Sequence, residues 1–243
     1  MKFENTSVWG FEHALRGMRN PKESWARSDS TFENGNVVIG PNDMKLAQTL
    51  IRGGSEHRKF LRQIFVSVDI EASLFWFKEF DTYKVATVAN STSTMHKLTS
   101  KPITLQCFEI DDFGGFYDID SEHQKTFEES EEFIAWTFDD AESMPLEFID
   151  FLEDLRQKYL LTKDKRYWKE LVRWLPESWL QTRTVTMNYE TILTMCKQRR
   201  THKLNEWSGL DDNTKPNFIA WARSLPYAQE FLFLDEESEN GNN

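Results

Sequence analysis

The sequence is poor in cysteine and lacks long apolar runs. Its 243 residues contain two cysteines, Cys107 and Cys196. No apolar signal region precedes them, so we expect two free thiols in a reducing cytoplasm and no disulfide framework. No apolar run approaches the roughly 18 residues that a membrane span requires. The chain is therefore expected to be cytoplasmic and to have no membrane segment.

Basic charge is also scarce, because 29 Lys and Arg face 40 Asp and Glu, giving a net charge of -11. Phosphate backbones attract Lys and Arg, so general binding to nucleic acid is not expected. A small anionic ligand in a local basic pocket remains compatible with this balance. An acidic decoy that mimics nucleic acid is a further hypothesis, ranked last because the acids are spread along the chain.

Several common catalytic motifs are missing. The sequence has no Gly-rich P-loop, no dinucleotide fingerprint and no Gly-x-Ser-x-Gly elbow. Two distant cysteines and five scattered histidines form no zinc pattern, so no metal site is predicted. Any chemistry must therefore depend on a less familiar arrangement.

Aromatic residues are plentiful, at 14% with nine Trp, which supplies material for a core. No flexible linker divides the chain, so we predict a single α+β domain over residues 1–234 and a disordered acidic tail over 235–243. The predicted strands are residues 64–70, from their alternation, and 103–110. The predicted helices are 43–52, 71–83, 145–161, 163–175 and 217–225, with an acidic loop and short helix between 111 and 140.

The most informative segment is a helix predicted to begin near Thr182 and to reach His202. Its buried stripe would be Val185, Tyr189, Ile192, Leu193 and Cys196. At about 100° per residue, Asn188, Arg199 and His202 return to within about 40° of one direction. A local basic cluster of Lys197, Arg199, Arg200, His202 and Lys203 surrounds them. The pattern predicts half of an anionic-cofactor site, although cations are also common at helix C-termini.

The order of these elements resembles the flavin-dependent thymidylate synthases. In that family a helix, a His-containing turn and a strand come first, and Leu50-Ile51-Arg52, His57 and residues 64–70 hold those places. Thr82-Tyr83-Lys84 falls where the family has Arg-His-Arg, followed by Thr87, Asn90 and Ser93. Asn188, Arg199 and His202 match an Asn, Arg and His of the family's late helix. The resemblance covers roughly residues 14–105 and 176–230.

The resemblance implies a small, mostly antiparallel sheet packed with several helices, and a homotetramer. It implies FAD bound by Thr82, Tyr83, Lys84, Ser91, Asn188 and His202. It implies a pyrimidine nucleotide similar to dUMP, bound by Ser93 and Arg199, with Arg199 as the catalytic residue. Methylation at C5 would use NADPH and methylenetetrahydrofolate. Relatives in bacteriophage and prophage genomes make that context a further implication.

The sequence also departs from the family pattern. Lys84 is the single cation of its triplet, and Met95 stands where the family has a phosphate-binding Arg. Arg62-Gln63 replaces a Glu-His pair, and residues 204–216 interrupt the late helix. The alternative is therefore a catalytically inactive nucleotide-binding or interaction protein that retains the fold. Independently of that alternative, a structural interpretation is open for single residues: Ser91 and Ser93 as turn or cap residues, and Asn188 as a polar residue near a helix start.

Overall fold

Alternating apolar side chains form the centre of the main sheet. Val66, Val68 and Ile70 are buried on one face of strand β4 (Phe65–Ser73), which confirms the strand predicted there. The strand order of this sheet is β1 (Lys2–Trp9), β4, β6 (Leu180–Asn188) and β5 (Val88–Ser91), with β1 antiparallel to β4 and β5 antiparallel to β6. A separate hairpin comprises β2 (Thr31–Glu33) and β3 (Asn36–Val38).

The computed structural model describes residues 1–33, 35–110 and 138–235, and for residues 138–145 the helical backbone alone. The predicted α+β class with a small antiparallel sheet and several helices is confirmed. The helices are α1 (Phe11–Arg19), α2 (Pro41–Arg52), α3 (Leu74–Phe80), α4 (Thr94–Lys97), α5 (Phe138–Thr162), α6 (Lys165–Arg173), α7 (Tyr189–Arg199), α8 (Asn205–Ser208), α9 (Phe218–Arg223) and α10 (Ala228–Phe231). Residues 111–137 of the predicted acidic loop and 236–243 of the predicted tail lie outside the described residues.

Helix α2 shows how local chemistry sets the element boundaries. Pro41 occupies the first turn, where its missing N–H costs nothing. The carboxylate of Asp29 accepts from the backbone N–H groups of Asn42 (2.9 Å) and Asp43 (3.1 Å), which have no partner within the helix. The helix predicted at 43–52 is thereby confirmed, two residues longer at its start.

The predicted helix start near Thr182 is wrong. Residues 180–188 form strand β6, and burial follows a strand because Gln181, Val185 and Met187 point inward. Thr184 Oγ1 donates to Asp69 Oδ1 of the neighbouring strand (2.5 Å). The β-branched residues of this run favour the extended backbone, and pairing with the sheet outweighs the helical spacing of its apolar residues.

The predicted strand at 103–110 is also wrong. Residues Leu105–Cys107 form a 3-10 turn, followed by a single bridge between Phe108 and Trp179. The backbone N–H of Ile103 donates to the side chain of Glu153 (2.8 Å) rather than to a strand. The helix predicted at 71–83 is wrong at its start, because β4 continues to Ser73 and α3 begins at Leu74.

The contacts cluster into two compact units. The first comprises residues 1–71, 76–91 and those from 182 onward, and the second comprises 72–75 and 92–181. In the first unit Trp76 stacks on Trp207 at 4.5 Å between ring centroids, and both are fully buried. In the second unit Ile103 and Leu98 pack with the apolar face of α5 and with Leu171.

None of the helices in the described ranges is long and apolar enough to cross a membrane. The boundary predicted between a domain at 1–234 and a tail remains a prediction.

Candidate functional site

Asn188 caps the start of α7 rather than lying on its ligand-facing side. Its Oδ1 accepts from Thr191 N (3.0 Å) and from Thr191 Oγ1 (3.1 Å), and the residue is 4% exposed. Helix α7 ends at Arg199, so His202 lies beyond it. The single row of Asn188, Arg199 and His202 is therefore wrong, because a helical repeat cannot extend past either end of the helix. Asn188 and Arg199 lie at opposite ends of α7, about 16 Å apart along its axis.

Arg199 is held by a carboxylate that sequence reasoning missed. Its Nη1 lies 2.7 Å from Glu79 Oε2, and its Nε donates to Tyr83 Oη at 2.9 Å. The guanidinium also lies over the ring of Trp207, 5.2 Å from the centroid. With 15% of its side chain exposed, Arg199 contacts a carboxylate, a hydroxyl group and an aromatic ring of the first unit. An anionic ligand must therefore compete with Glu79 for this cation.

His202 belongs to the same cluster. Its Nδ1 accepts from Leu204 N (3.1 Å), so the proton of the neutral ring is on Nε2, which lies 3.9 Å from Glu79 Oε2. Burial lowers the pKa of His202 below its usual value, and the positive charge of Arg199 lowers it further, whereas Glu79 raises it. The ring is consequently favoured in its neutral form.

Glu79 could have been suspected from the sequence. It lies in α3, whose other residues are aromatic or apolar apart from Lys78. A charge placed among aromatic residues needs a partner when the helix is buried. The sequence does not, however, say which cation provides that partner, because Arg199 lies far away along the chain.

The basic cluster at the end of α7 is partly neutralised. Besides Arg199, Lys197 pairs with Asp235 at 2.6 Å. Both cations lie in the last turn of α7, where the helix dipole favours positive charge. The cluster thus fits the interpretation of cations at a helix C-terminus better than that of a free anion site.

The residues at 82–84 and Ser91, which the resemblance predicts to bind FAD, have different surroundings. Tyr83 Oη donates to Gln198 Oε1 (2.8 Å) and accepts from Arg199, which brings Tyr83, Arg199 and His202 together. Thr82 Oγ1 donates to the backbone oxygen of Glu79 (2.8 Å). Lys84 and Ser91 are exposed, with Ser91 at the end of β5 opposite Arg183 in register.

Ser93 lies in the second unit, where it caps the short helix α4. Its Oγ accepts from His96 N at 3.2 Å, as expected for a cap residue. Ser93 also lines a pocket of about 430 Å³ together with Thr94, Lys97, Ser100 and Lys101. No carboxylate lines this pocket among the residues that the structure describes. We call it the Ser93 pocket, and its lining includes two lysines and several residues that carry a hydroxyl group.

An ion pair braces the segment that forms one side of the Ser93 pocket. Glu153 and Arg156 of α5 are joined by two hydrogen bonds, at 2.7 and 2.8 Å. Glu153 also accepts from Ile103 N, and Arg156 Nη1 donates to Thr99 O (3.1 Å). Hydrogen bonds from Arg156 hold the pKa of Glu153 down at about 2, against the opposing effect of burial. Residues 99–103, which include Lys101, are thereby fixed to α5.

Met95 is half exposed and is absent from the lining of the Ser93 pocket. The cations of this pocket are Lys97 and Lys101, neither of which was assigned a role from the sequence. A search for Lys near Ser93 would have found Lys97, but the fold is needed to add Lys101. Among the described residues no cluster of His, Cys, Asp or Glu suits a metal ion.

Comparison with known proteins gives a fold and no family assignment. No protein-family model matches the sequence, and no curated protein matches it. The crystal structure of flavin-dependent thymidylate synthase ThyX from Helicobacter pylori, in complex with FAD and dUMP, is similar with a TM-score of 0.59 and 18% sequence identity, covering 97% of this chain and 99% of that chain. A second crystal structure of ThyX from Helicobacter pylori with FAD and dUMP, at 2.31 Å resolution, gives a TM-score of 0.59 at 18% identity and covers 97% and 98%. The chain therefore has a fold similar to that of these enzymes over nearly its whole length.

Proposed function

We propose that this protein binds a pyrimidine nucleotide similar to dUMP, with the phosphate in the Ser93 pocket. The observation that carries the proposal is the convergence of Lys97, Lys101 and the hydroxyl of Ser93 on one pocket without a carboxylate among its described lining residues. The similar fold of enzymes crystallised with dUMP supports the choice of nucleotide.

The chemistry of the Ser93 pocket suits a phosphate group. Phosphate oxygens accept strong hydrogen bonds from ammonium groups, and hydroxyl groups add further donors. Its volume of about 430 Å³ lies within the range usual for small-molecule sites. Lys97 and Lys101 would thus replace the cation that Met95 does not provide.

Binding of FAD has less support from the described residues than binding of a nucleotide. FAD needs cations or other donors for its diphosphate and flat walls for its ring. Of the six residues assigned to it, Asn188 caps a helix, Tyr83 bonds to Gln198 and Arg199, and Lys84 is the one exposed cation. These residues do not by themselves form a flavin site. We therefore favour the alternative of a catalytically inactive protein, which retains the fold and binds a nucleotide without flavin chemistry.

Flavin-dependent methylation at C5, with FAD, NADPH and methylenetetrahydrofolate, is the second candidate. The observation in its favour is the similarity to ThyX structures that hold both FAD and dUMP. A homotetramer belongs to this candidate, since neighbouring subunits would supply residues that one chain lacks. Purified protein that absorbs light at about 450 nm and has a tetrameric mass in solution would favour flavin-dependent methylation. A colourless monomer that takes up no added FAD would exclude it.

The nucleotide proposal is tested by calorimetric titration with dUMP. Lys97→Ala/Lys101→Ala should weaken binding about 100-fold, because each charge-assisted contact contributes about 1.5 kcal/mol or more. Lys165→Ala/Lys169→Ala removes the same charge from exposed positions of α6 and serves as the matched control. Equal affinity in both variants would reject the Ser93 pocket as the phosphate site.

A further inference from the structure

A second cationic groove lies in the first unit, between α2 and the turns that follow α1. It has a volume of about 730 Å³, and its lining includes Arg19, Lys22, Arg27 and Lys45. Among the residues that the structure describes, Glu23 is the one acidic residue in that lining. Four cations gathered in one groove are a marked local excess in a chain of net charge -11. We call this the α2 groove, and none of its residues lines the Ser93 pocket.

Arg19 is the buried member of the α2 groove, with 4% of its surface exposed. Its Nε donates to Asp43 Oδ1 at 2.5 Å, and its Nη1 donates to Ser24 O over a longer 3.3 Å. Its Nη2 has no hydrogen-bond partner in the part of the chain that the structure describes. A buried guanidinium N–H without an acceptor is unfavourable, and the long bond at Nη1 leaves that end of the group loosely held.

Asp43 does not provide an acceptor for the Nη2 group of Arg19. Its Oδ2 accepts from the hydroxyls of Ser28 (2.8 Å) and Ser30 (2.6 Å) and from the backbone N–H groups of Asp29 and Ser30 (both 3.1 Å). The carboxylate therefore holds residues 28–30 as well as Arg19. Its second oxygen is occupied by those groups rather than by Nη2.

The turns that carry Lys22 and Arg27 are ordered by their own hydrogen bonds. Ser24 N donates to Arg19 O (3.2 Å), and Arg27 N donates to Ser24 O (3.0 Å). The indole N–H of Trp25 donates to Asn20 Oδ1 (2.9 Å). A cationic surface held in place before the ligand arrives has less conformational entropy to lose on binding.

We propose that the α2 groove is a second anion site, which takes the phosphate or diphosphate group of a small soluble ligand. Lys22, Arg27 and Lys45 contact its oxygens, and Arg19 lies in the wall, where it adds positive charge. The four cations exceed the carboxylates in and beside the groove, those of Glu23, Asp29 and Asp43, by one positive charge, which favours an anion. The hydroxyl of Ser24 and the amide of Asn42 line the same groove and add uncharged hydrogen-bonding groups.

The probe for this site is inorganic pyrophosphate, titrated into the full chain in a phosphate-free buffer. Lys22→Ala/Lys45→Ala should weaken one binding event by about 100-fold, because two charge-assisted contacts are lost. Both lysines are exposed, so the variant should fold, and an unchanged melting temperature checks this. Lys165→Ala/Lys169→Ala is the charge-matched control and should bind as the parent does.

The remaining outcomes separate the α2 groove from its alternatives. The binding event lost in Lys22→Ala/Lys45→Ala must persist in Lys97→Ala/Lys101→Ala, which tests the other pocket. If pyrophosphate does not bind, or binds equally to all variants, the proposal is overturned. It is also overturned if Lys22→Ala/Lys45→Ala weakens binding of a single-stranded DNA oligonucleotide but leaves pyrophosphate unaffected, because the groove would then be a nucleic-acid surface.

Discussion

Cationic side chains cluster both at the end of α7 and in the Ser93 pocket, but the two clusters differ in their pairing with carboxylates. At the end of α7, Arg199 faces Glu79 and Lys197 faces Asp235. In the Ser93 pocket, Lys97 and Lys101 meet no carboxylate among the described lining residues. A basic cluster in a sequence therefore locates cations without saying whether a ligand can use them.

The difference has an energetic meaning. The Arg199–Glu79 pair is only partly buried, with 15% and 40% of the two side chains exposed, so it contributes about 1 kcal/mol or less by itself. A ligand that displaced Glu79 would lose that contribution and would leave a carboxylate near its own negative charge. The Ser93 pocket imposes neither cost.

The largest expected effect concerns the brace behind the Ser93 pocket. Arg156→Met should lower the free energy of unfolding by about 3 kcal/mol, because it leaves Glu153 partly buried without its cation. Urea denaturation measures the change. Arg166→Met breaks the exposed pair with Asp164 and should leave the free energy of unfolding nearly unchanged. Equal losses in the two variants would show that the brace has no special role.

A smaller effect is expected at the end of α7. Glu79→Gln should lower the free energy of unfolding by about 1 kcal/mol, since Arg199 and His202 both lose their carboxylate. Lys97→Ala/Lys101→Ala should change stability by less than about 0.5 kcal/mol, because these side chains are exposed. If the lysine variant were the less stable one, the contrast between a paired and an available cluster would be reversed.

Tyr83→Phe isolates the hydroxyl that joins Gln198 to Arg199. Loss of two partly exposed hydrogen bonds should cost about 0.5–1 kcal/mol in urea denaturation. In an Arg199→Met background the same change should cost less, because one of its partners is already gone. Equal costs in both backgrounds would argue against coupling between Tyr83 and Arg199.

The smallest effect is the pH dependence from His202. Its pKa is lower in the folded state than the ordinary 6.5, so the unfolded chain binds more protons in the window just below 6.5. Stability contributed by the neutral ring is thus present above 6.5 and is lost as the pH falls towards the folded-state pKa. His202→Gln should show a shallower fall between pH 7.5 and 5.5 than the parent. A steeper fall in the variant would contradict the assigned direction of the shift.

Predictions from the sequence were correct where the side-chain pattern fits one type of secondary structure and no other. Val66, Val68 and Ile70 alternate without competition, and that strand is confirmed. Residues 182–188 carried two patterns, an apolar spacing typical of a helix and a β-branched alternation typical of a strand. Pairing with β4 determined the outcome, and such tertiary pairing is not visible in a local window.

The candidate site was harder to predict than the fold. Tyr83, Arg199 and His202 do lie together, but Glu79, which pairs with both Arg199 and His202, is more than a hundred residues away from them in the sequence. Asn188 has the structural role that its position in the sequence also allowed, as a polar residue at a helix start. Lys101 lines the Ser93 pocket in a segment, residues 99–103, that Glu153 and Arg156 hold by hydrogen bonds. Partners of this kind depend on the folded arrangement and not on spacing.

A crystal structure with dUMP decides which of the two cationic regions binds the nucleotide. We predict density for the phosphate group in the Ser93 pocket, with its oxygens about 3 Å from the Nζ atoms of Lys97 and Lys101. We also predict that the Arg199–Glu79 ion pair remains intact in that complex. A phosphate bound to Arg199, with Glu79 displaced and the Ser93 pocket holding no nucleotide, would contradict this prediction.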